Sequence, residues 1–379
     1  MAEFDRLSAL DAVFLGIESE RNPMHIGLTA VFEKGPLRTP SGELDGDKIQ
    51  RYVRTVLAGL PRFRRRIAHV PLLRRPVLVD DPRFELDHHL RFLHLVRGDD
   101  AELRELVERI YSERLDRRRP LWELWVLDGL PFDRFAIVTK AHHCLIDGVS
   151  GIAALTGMLR PTPDGSFDEA PASNLQPPPT GRDLLVTELR RIARPLRVQA
   201  EDLGGAARHL AAGLVHAMRS AFPRAARTTL RPSAPLARRS VVWLEVALGD
   251  VKAVKDASSA KLNDVVLAVV SGALSRLVAR EGTAAPGLFR ALVPVNLRAT
   301  TNVSAGNEVS LVLVSLPISE PDPAAALRLV TERMNAEKAS GEVEAIATAE
   351  GFADTWSFNL VTATARLALL LRPYNVIVT

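Results

Sequence analysis

The chain has a single cysteine, Cys144, among its 379 residues. An internal disulfide is therefore impossible, and a hydrophobic core has to hold the fold together. Apolar residues make up 47% of the sequence, and the length favours two domains over one. A lone thiol also fits the reducing cytoplasm, where structural disulfides are rare.

Long apolar runs are missing as well. No window approaches the roughly 18 consecutive apolar residues of a membrane-spanning helix, and arginine interrupts the best candidates. Residues 1–6 mix acidic and basic side chains and lack the apolar segment of a signal peptide. We therefore expect neither a membrane-spanning protein nor an exported one, and we predict a cytoplasmic location.

Lysine is scarce, at seven of 49 basic residues, and the arginines are unevenly distributed. Residues 181–240 hold twelve arginines and four acidic residues, whereas the rest of the chain is net acidic. Such a region suits nucleic acid or an anionic membrane. Aromatic residues do not alternate with these arginines as they do in single-strand binders, so we expect no nucleic-acid binding and predict peripheral contact with lipid.

Apolar residues within this basic region have two possible roles. Leu184, Leu185, Leu189 and Ile192 lie at positions that would let them insert into a lipid surface beside the arginines. The alternative is that the same side chains pack between the two domains. The sequence leaves both roles open.

Helical and strand patterns alternate over residues 1–160, which predicts a mixed α/β N-terminal domain. Apolar residues recur at helical spacing in 47–60 and 101–114. Residues 134–140 are rich in β-formers and lead directly into two histidines. The histidines are therefore predicted at a strand end, where functional sites commonly form.

Residues 161–238 separate this domain from a second one. Proline and polar residues dominate 161–180 and indicate a linker, after which a basic helical segment follows. The second domain is predicted at 239–379. Its predicted elements are a strand at 240–248, a helix at 262–279, and strands at 289–296 and 308–316.

The stretch that carries candidate chemistry runs from Ala141 to Gly148 and contains His142, His143 and Asp147. One reaction that such a stretch could serve is acyl transfer to an alcohol. It needs a base near neutral pH, and imidazole is the side chain whose unperturbed pKa lies closest to neutrality. A histidine here would take the hydroxyl proton while the oxygen attacks a thioester carbonyl. Asp147 either holds the histidine loop through an ion pair or caps the helix predicted after it.

Three other assignments for this stretch are weaker than that of a general base: a chance pair of surface histidines, a metal site and a thiol nucleophile. His88-His89 is expected to be a surface pair, whereas a strand followed by two histidines, Asp147 and a glycine is a narrower pattern. No metal site is expected, because adjacent histidines diverge and no second cluster supplies further ligands. Cys144 is expected to be a buried thiol that points away from His143, not a nucleophile.

With further stretches of the chain, this pattern resembles the bacterial wax ester synthase/diacylglycerol acyltransferase family, whose mark is His-His-x-x-x-Asp-Gly. The residues that match this motif are His142, His143, Asp147 and Gly148. The further similar stretches are Leu7-Ser-Ala-Leu-Asp11, Pro120-Leu121-Trp122-Glu123, Asn263-Asp264-Val265-Val266-Leu267, Pro294-Val-Asn-Leu-Arg298 and Gly306-Asn307. Together they cover nearly the whole chain.

The resemblance implies a two-domain, chloramphenicol-acetyltransferase-like fold of CoA-dependent acyltransferases, with a tunnel that brings acyl-CoA and the acceptor alcohol to the histidine. It implies that His143 is the general base, that His142 is its motif neighbour and that Asp147 keeps the loop in place. It implies acyl-CoA as co-substrate and no cofactor. Family members usually continue well past Thr379, so the resemblance also implies an incomplete C-terminal part, as expected either of a fragment or of a naturally shortened member.

Further motif residues have alternative assignments. Asn263 and Asp264 match a second family motif, although Asn263 alternatively caps the helix that follows. Arg298 is a candidate partner of Asp147, or else an exposed arginine. Trp122 is expected in the core and not against the substrate.

Three functions are compatible with the sequence. The favoured one is transfer of a long-chain acyl group from acyl-CoA to diacylglycerol, to a long-chain alcohol, or to both, giving triacylglycerol or wax ester. A condensation-type enzyme would act on carrier-protein thioesters, but no carrier module is attached. An inactive homologue would only bind lipid or acyl-CoA. The first function predicts work at the inner membrane face or on lipid bodies, since both substrates partition into lipid.

Overall fold

The computed structural model describes residues 4–20, 22–146, 177–198, 238–280, 288–296, 309–339, 362–363, 366 and 374–379. These residues fall into two compact units. The first unit consists of the described residues up to 197, together with 238–242 and Thr362. The second unit contains nearly all the others.

Seven α-helices and ten strands are present in the described residues. The helices are α1 (Ala9–Ile17), α2 (Gly46–Ala58), α3 (Asp100–Ser112), α4 (Gly181–Val198), α5 (Leu248–Ser258), α6 (Leu262–Arg280) and α7 (Pro323–Ala339). The strands are β1 (Asp5–Arg6), β2 (His25–Glu33), β3 (Arg65–His69), β4 (Pro76–Asp80), β5 (Leu90–His94), β6 (Trp122–Leu130), β7 (Arg134–His142), β8 (Arg290–Asn296), β9 (Val309–Ser315) and β10 (Val376–Ile377).

A four-stranded sheet of order β2-β7-β6-β5 forms the centre of the first unit. Strand β7 is antiparallel to both of its neighbours, and β5 runs parallel to β6. Alternate residues of β7 face opposite sides of the sheet, as the period of two requires. Phe135 therefore lies in one hydrophobic core and Ala136 and Val138 lie in another. The strand predicted at 134–140 is β7, extended by the sheet to His142.

Two amphipathic helices cover the two faces of this sheet. Helix α2 contributes Ile49, Val53 and Leu57 to the core that contains Phe135. Helix α3 contributes Leu103, Val107 and Ile110 to the core of the opposite face. An aspartate side chain caps each helix, Asp45 for α2 and Asp99 for α3. These are the helices that the apolar spacing of 47–60 and 101–114 predicts.

A second sheet, of order β1-β4-β3, carries helix α4 on one face. Leu184 of α4 is buried against Val70, Val77 and Val79. Leu185 packs against the same cluster. Insertion into lipid is therefore wrong for Leu184, because the protein itself already covers the apolar face of α4. The side chain of Ile192 lies outside the described part of the chain.

The second unit is built on a sheet of order β10-β8-β9, in which β8 and β9 are antiparallel and β10 is parallel to β8. Helices α6 and α7 pack on it through Leu267, Val278, Val330 and Met334, all of which are buried with the sheet residues in one core. The strands predicted at 289–296 and 308–316 are β8 and β9. The predicted helix at 262–279 is α6.

Helix α6 is long and apolar enough to cross a membrane, judged by length and composition alone. The apolar-run criterion does not single it out, because arginine interrupts the run. Leu267 and Val278 of this helix are buried in the core of the second unit. Of the apolar window as a whole, 28% is buried, and Val269 is 67% exposed.

The predicted strand at 240–248 is wrong. Residues 238–247 have no regular secondary structure, and helix α5 already begins at Leu248. Val242 and Leu244 are about four-fifths exposed, at 81% and 80%. The backbone N–H of Val241 donates to the carboxylate of Glu108 and not to a strand, and β-formers become a strand only where a neighbouring strand pairs with them.

Candidate active site

The two motif histidines lie where β7 ends in a turn. His142 is the last residue of β7, and its backbone N–H donates to the carbonyl of Leu121 at 2.9 Å. His143 already belongs to the turn, and its N–H donates to the carbonyl of Met24 at 3.0 Å. The strand ends here because the N–H of Leu145 turns back to the carbonyl of His142 at 2.9 Å.

His142 points into the protein. Its side chain is 1% exposed, and its Nδ1 accepts a hydrogen bond of 3.0 Å from the N–H of Cys144. Burial lowers the pKa of His142 to about 4, although the nearby Glu18 carboxylate acts in the opposite direction. The imidazole is therefore neutral at physiological pH, with its Nδ1 lone pair used by the backbone.

His143 has different surroundings. Its ring is half-buried and stacks on Phe14, with 4.4 Å between the ring centroids and 19° between the planes. Burial lowers the pKa of His143, and the positive charge of Arg239 lowers it further. Arg239 is held near by a hydrogen bond of 2.6 Å from its Nη2 to the carbonyl of Pro23. A neutral, partly accessible imidazole of this kind can accept a proton.

A buried carboxylate, Glu18, lies behind His142. Its Oε1 is 3.6 Å from His142 Nε2, and its Oε2 accepts hydrogen bonds from Arg114 at 3.0 Å and from Arg117 at 2.6 Å. Burial acts to raise the pKa of Glu18, but the hydrogen bonds from Arg117 and the charges of its neighbours outweigh it, so the pKa is lowered. Glu18 is therefore ionised.

A second ion pair supports the turn itself. Arg62 Nη2 donates to the carbonyl of Cys144 at 3.1 Å and to Asp11 Oδ2 at 3.2 Å. Cys144 is fully buried, as predicted, and burial raises the pKa of its thiol. It belongs to the turn, however, and does not continue the strand. A neutral thiol with no exposed surface is unsuited to be a nucleophile.

The second family motif lies at the start of α6. Asp264 is buried, and its carboxylate accepts a hydrogen bond of 3.0 Å from the N–H of Lys261 just before the helix. Asn263 is already within the first helical turn, since α6 begins at Leu262. The alternative that Asn263 caps this helix is therefore wrong, and Asp264 satisfies the N-terminal backbone instead.

Three predicted site residues lie outside the described residues. They are Asp147, Gly148 and Arg298. Their assignments, including the ion pair between Asp147 and Arg298, stay predictions.

The histidine pair at 88 and 89 is not a surface pair. His88 is exposed beside Glu85, but His89 is 3% exposed and its Nδ1–H donates to the carbonyl of Trp122 at 2.8 Å. The ring of His89 also stacks on Trp122 at 4.7 Å. Trp122 is buried, as predicted, and its Nε1–H donates to the carbonyl of Phe63 at 2.6 Å. His88 ends a short 3-10 helix and His89 follows it, so the adjacent side chains reach different environments, which the dipeptide does not reveal.

Four residues near the histidines were not identified from the sequence: Phe14, Glu18, Met24 and Arg239. They come from the end of α1, from the residues just before β2 and from the irregular segment 238–247. Nothing in a single sequence links these positions to His143, because only the folded sheet brings them together. Two of them, Phe14 and Glu18, lie on a helix end next to the family-like stretch of residues 7–11.

Comparison with known proteins shows the family of this chain. The family model described as the wax ester synthase/diacylglycerol acyltransferase catalytic domain matches residues 7–266, and the corresponding C-terminal domain matches 305–379. A probable diacylglycerol O-acyltransferase of Mycobacterium tuberculosis H37Rv is 33% identical over 351 residues, covering 89% of this chain and 72% of its own.

Solved structures agree with the family models. The wax ester synthase/diacylglycerol acyltransferase of Marinobacter aquaeolei VT8 matches with a TM-score of 0.61 and 25% identity, covering 98% of this chain and 80% of its own. The first condensation domain of the calcium-dependent antibiotic synthetase matches with a TM-score of 0.56 and 16% identity, covering 90% and 76%. At that identity the second likeness shows the fold alone.

The chain has the chloramphenicol-acetyltransferase-like fold of the CoA-dependent acyltransferase class, and its histidine pair lies at the end of β7. The chain belongs to the wax ester synthase/diacylglycerol acyltransferase family and is an O-acyltransferase.

Proposed function

We propose that the protein transfers a long-chain acyl group from acyl-CoA to the hydroxyl of diacylglycerol, of a long-chain alcohol, or of both, with His143 as general base. Family membership supports the reaction, and the names of the mycobacterial relatives support diacylglycerol as acceptor. The observation that carries the assignment of the base is the contrast between a half-buried His143 and a His142 whose Nδ1 is already bonded to the backbone.

The proposed reaction needs the neutral imidazole of His143 next to the hydroxyl of the acceptor. His143 takes the proton as the alcohol oxygen bonds to the thioester carbonyl carbon. The carbon–sulfur bond then breaks, and the imidazolium returns the proton to the departing CoA sulfur. The products are an ester and free CoA thiol, so no further reactant is needed.

The purified chain tests this function directly. It is incubated with long-chain acyl-CoA and either diacylglycerol or hexadecanol, and both the CoA thiol and the lipid product are measured. Thiol release that depends on an acceptor, with triacylglycerol or wax ester formed, supports the proposal. Transfer only from a carrier-protein thioester would favour the condensation-type alternative, and binding without transfer would favour an inactive homologue.

The pH dependence of kcat/KM should reflect the surroundings of His143. Burial lowers the pKa of His143, and the charge of Arg239 lowers it further. The enzyme should therefore stay active at pH values below 6.5, the ordinary pKa of histidine, and should lose activity only as the pH falls further. In Arg239→Gln the imidazolium is no longer repelled, so the acidic limb should move to higher pH. A full pH profile measures this, with Arg118→Gln as the control.

An acidic limb that stays in place in Arg239→Gln, or moves to lower pH, would contradict this prediction. Arg118 is a suitable control because its side chain is 94% exposed and its ion pair with Asp116 spans 4.0 Å. Its removal changes the total charge equally without touching His143.

We also propose that the enzyme works at an anionic lipid surface, because both expected substrates partition into lipid. Two neighbouring features support a contact. The outer side of α4 exposes Leu189, Arg182 and Arg190, and the turn between β3 and β4 exposes Leu72 to 87% beside Arg74. Apolar residues with adjacent arginines suit the lipid headgroup region.

The helix and the turn belong to one surface. A Cβ atom added at Gly181, the first residue of α4, would lie 3.0 Å from the ring of Pro71 in the turn. Leu73 of the turn and Leu185 of the helix pack on the same buried cluster. The insertion predicted for α4 leucines is thus better assigned to Leu72, which no part of the described chain covers.

Replacing the exposed arginines should weaken lipid binding. We expect Arg182→Gln/Arg190→Gln to bind phosphatidylglycerol vesicles roughly thirtyfold less tightly than the parent in a sedimentation assay, since each arginine near such a surface contributes on the order of 1 kcal/mol. The parent's binding should also fall as salt rises. The matched control is Arg118→Gln/Arg119→Gln, which removes two charges elsewhere. Equal binding by both variants would assign the lipid contact to another surface.

A further inference from the structure

The carboxylate of Glu18 is linked, through Met24 and through His142, to both peptide units that flank His143. On one side, the N–H of His143 donates to the carbonyl of Met24, and the N–H of Met24 donates to Glu18 Oε1 at 3.3 Å. On the other side, the N–H of Cys144 donates to His142 Nδ1, and His142 Nε2 is 3.6 Å from the same Oε1. Both chains of contacts converge on Glu18.

The geometry selects one tautomer of His142. Because Nδ1 accepts from the N–H of Cys144, it carries no proton, so in the neutral ring the proton is on Nε2. That N–H lies on the nitrogen 3.6 Å from the ionised Glu18 carboxylate, a distance that gives an electrostatic attraction and no hydrogen bond. The opposite tautomer would place an N–H against the N–H of Cys144 and a lone pair against the carboxylate, and both contacts are repulsive.

Glu18 is itself held in place and kept charged. Arg117 binds its Oε2 through both Nε, at 2.9 Å, and Nη2, at 2.6 Å, and also donates to the carbonyl of Leu15 at 2.8 Å. Arg114 adds a further hydrogen bond of 3.0 Å. The Glu18 side chain is only 2% exposed, so water does not replace these contacts.

We propose that Glu18 is a positioning residue for the general base: it holds His142 in the Nε2–H tautomer and thereby fixes the turn that presents His143 to the acceptor hydroxyl. The proposal rests on the assignment of His143 as the base. Glu18 does not touch the reacting atoms in this scheme. It acts through His142 and Met24, and a base displaced by about 1 Å can lose roughly 10²-fold in rate.

The tautomer gives a readout that does not depend on activity. Nitrogen NMR of the imidazole of His142 in the full chain distinguishes a protonated Nε2 from a protonated Nδ1. We expect the proton on Nε2 in the parent and a mixture of the two forms in Glu18→Gln. A proton on Nδ1 in the parent, or an unchanged spectrum in Glu18→Gln, overturns the proposal.

Two substitutions of His142 separate its two nitrogens. In His142→Asn the side-chain amide oxygen can stand where Nδ1 stands and accept from the N–H of Cys144, whereas the longer side chain of His142→Gln reaches the place of Nε2. We therefore expect kcat of His142→Asn to exceed that of His142→Gln by about tenfold or more. Equal kcat values in the two variants, each folded by circular dichroism, contradict the proposal.

A double-mutant cycle then asks whether Glu18 acts through His142. In the parent background, Glu18→Gln should lower kcat by roughly tenfold or more, with the KM for acyl-CoA nearly unchanged. Asparagine has no tautomers, so in the His142→Asn background Glu18 acts only through the N–H of Met24, and the same substitution should cost much less. The same fold-loss in both backgrounds overturns the proposal. A parent chain without any transferase activity would instead refute the proposed function, while the tautomer measurement still tests Glu18.

Discussion

His143→Ala should abolish acyl transfer while the chain stays folded. Removing a general base typically costs about 10²–10⁴ in rate. His143 is half-buried and contributes mainly its stacking on Phe14 to the fold, so the loss of stability should be small. The measurement is acceptor-dependent release of CoA thiol, together with thermal unfolding of parent and variant.

His94→Ala is the matched control for this substitution. His94 is 73% exposed, and its Nδ1 is 3.9 Å from the carboxylate of Asp128. Its removal should leave transfer at the parent level. Activity of His143→Ala within a factor of two of the parent would refute the assignment of the base. His142→Ala should lose less activity than His143→Ala, because His142 positions the turn and does not itself accept the proton.

Trp122→Ala should have the largest effect on stability. The indole is 5% exposed, stacks on His89 and donates to the carbonyl of Phe63 at 2.6 Å. Truncation of a buried tryptophan typically costs about 3–5 kcal/mol. It would also leave the Phe63 carbonyl without its donor. Urea unfolding followed by circular dichroism measures the free energy of unfolding without relying on tryptophan fluorescence.

Phe132→Ala serves as the comparison. Phe132 is an aromatic residue of the same unit that is 87% exposed at the β6–β7 turn, so its loss should change the free energy of unfolding by no more than about 0.5 kcal/mol. A cost below about 1 kcal/mol for Trp122→Ala would mean that the indole is not part of the core of the N-terminal unit.

The contrast between the two motif histidines explains how adjacent identical residues acquire different roles. His142 ends β7 and belongs to its buried face, whereas His143 follows the strand and faces Phe14. Burial lowers the pKa of both rings, so both are neutral. Only His143 combines that neutral state with partial exposure. The difference comes from the place where the strand ends and not from the residue type.

The sequence by itself determined the local elements and the place of the histidines. The β-formers of residues 134–140 and the helical spacing in 47–60 and 101–114 are local signals, and the structure has β7, α2 and α3 there. The motif from Ala141 to Gly148, together with the further similar stretches, also indicated the family, which the family models confirm. These features depend on residues that are near one another in the chain.

The tertiary structure alone decided which side chains surround those histidines. Glu18 reaches His142 because β2 pairs with β7, and His89 is buried because β5 pairs with β6. Residues 240–248 have the composition of a strand but no partner strand in the described part of the chain, and Leu184 is covered by the β1-β4-β3 sheet. The partner of a strand, the neighbours of a side chain and the tautomer of a buried imidazole depend on atoms brought together from distant parts of the chain, and a local pattern does not specify them.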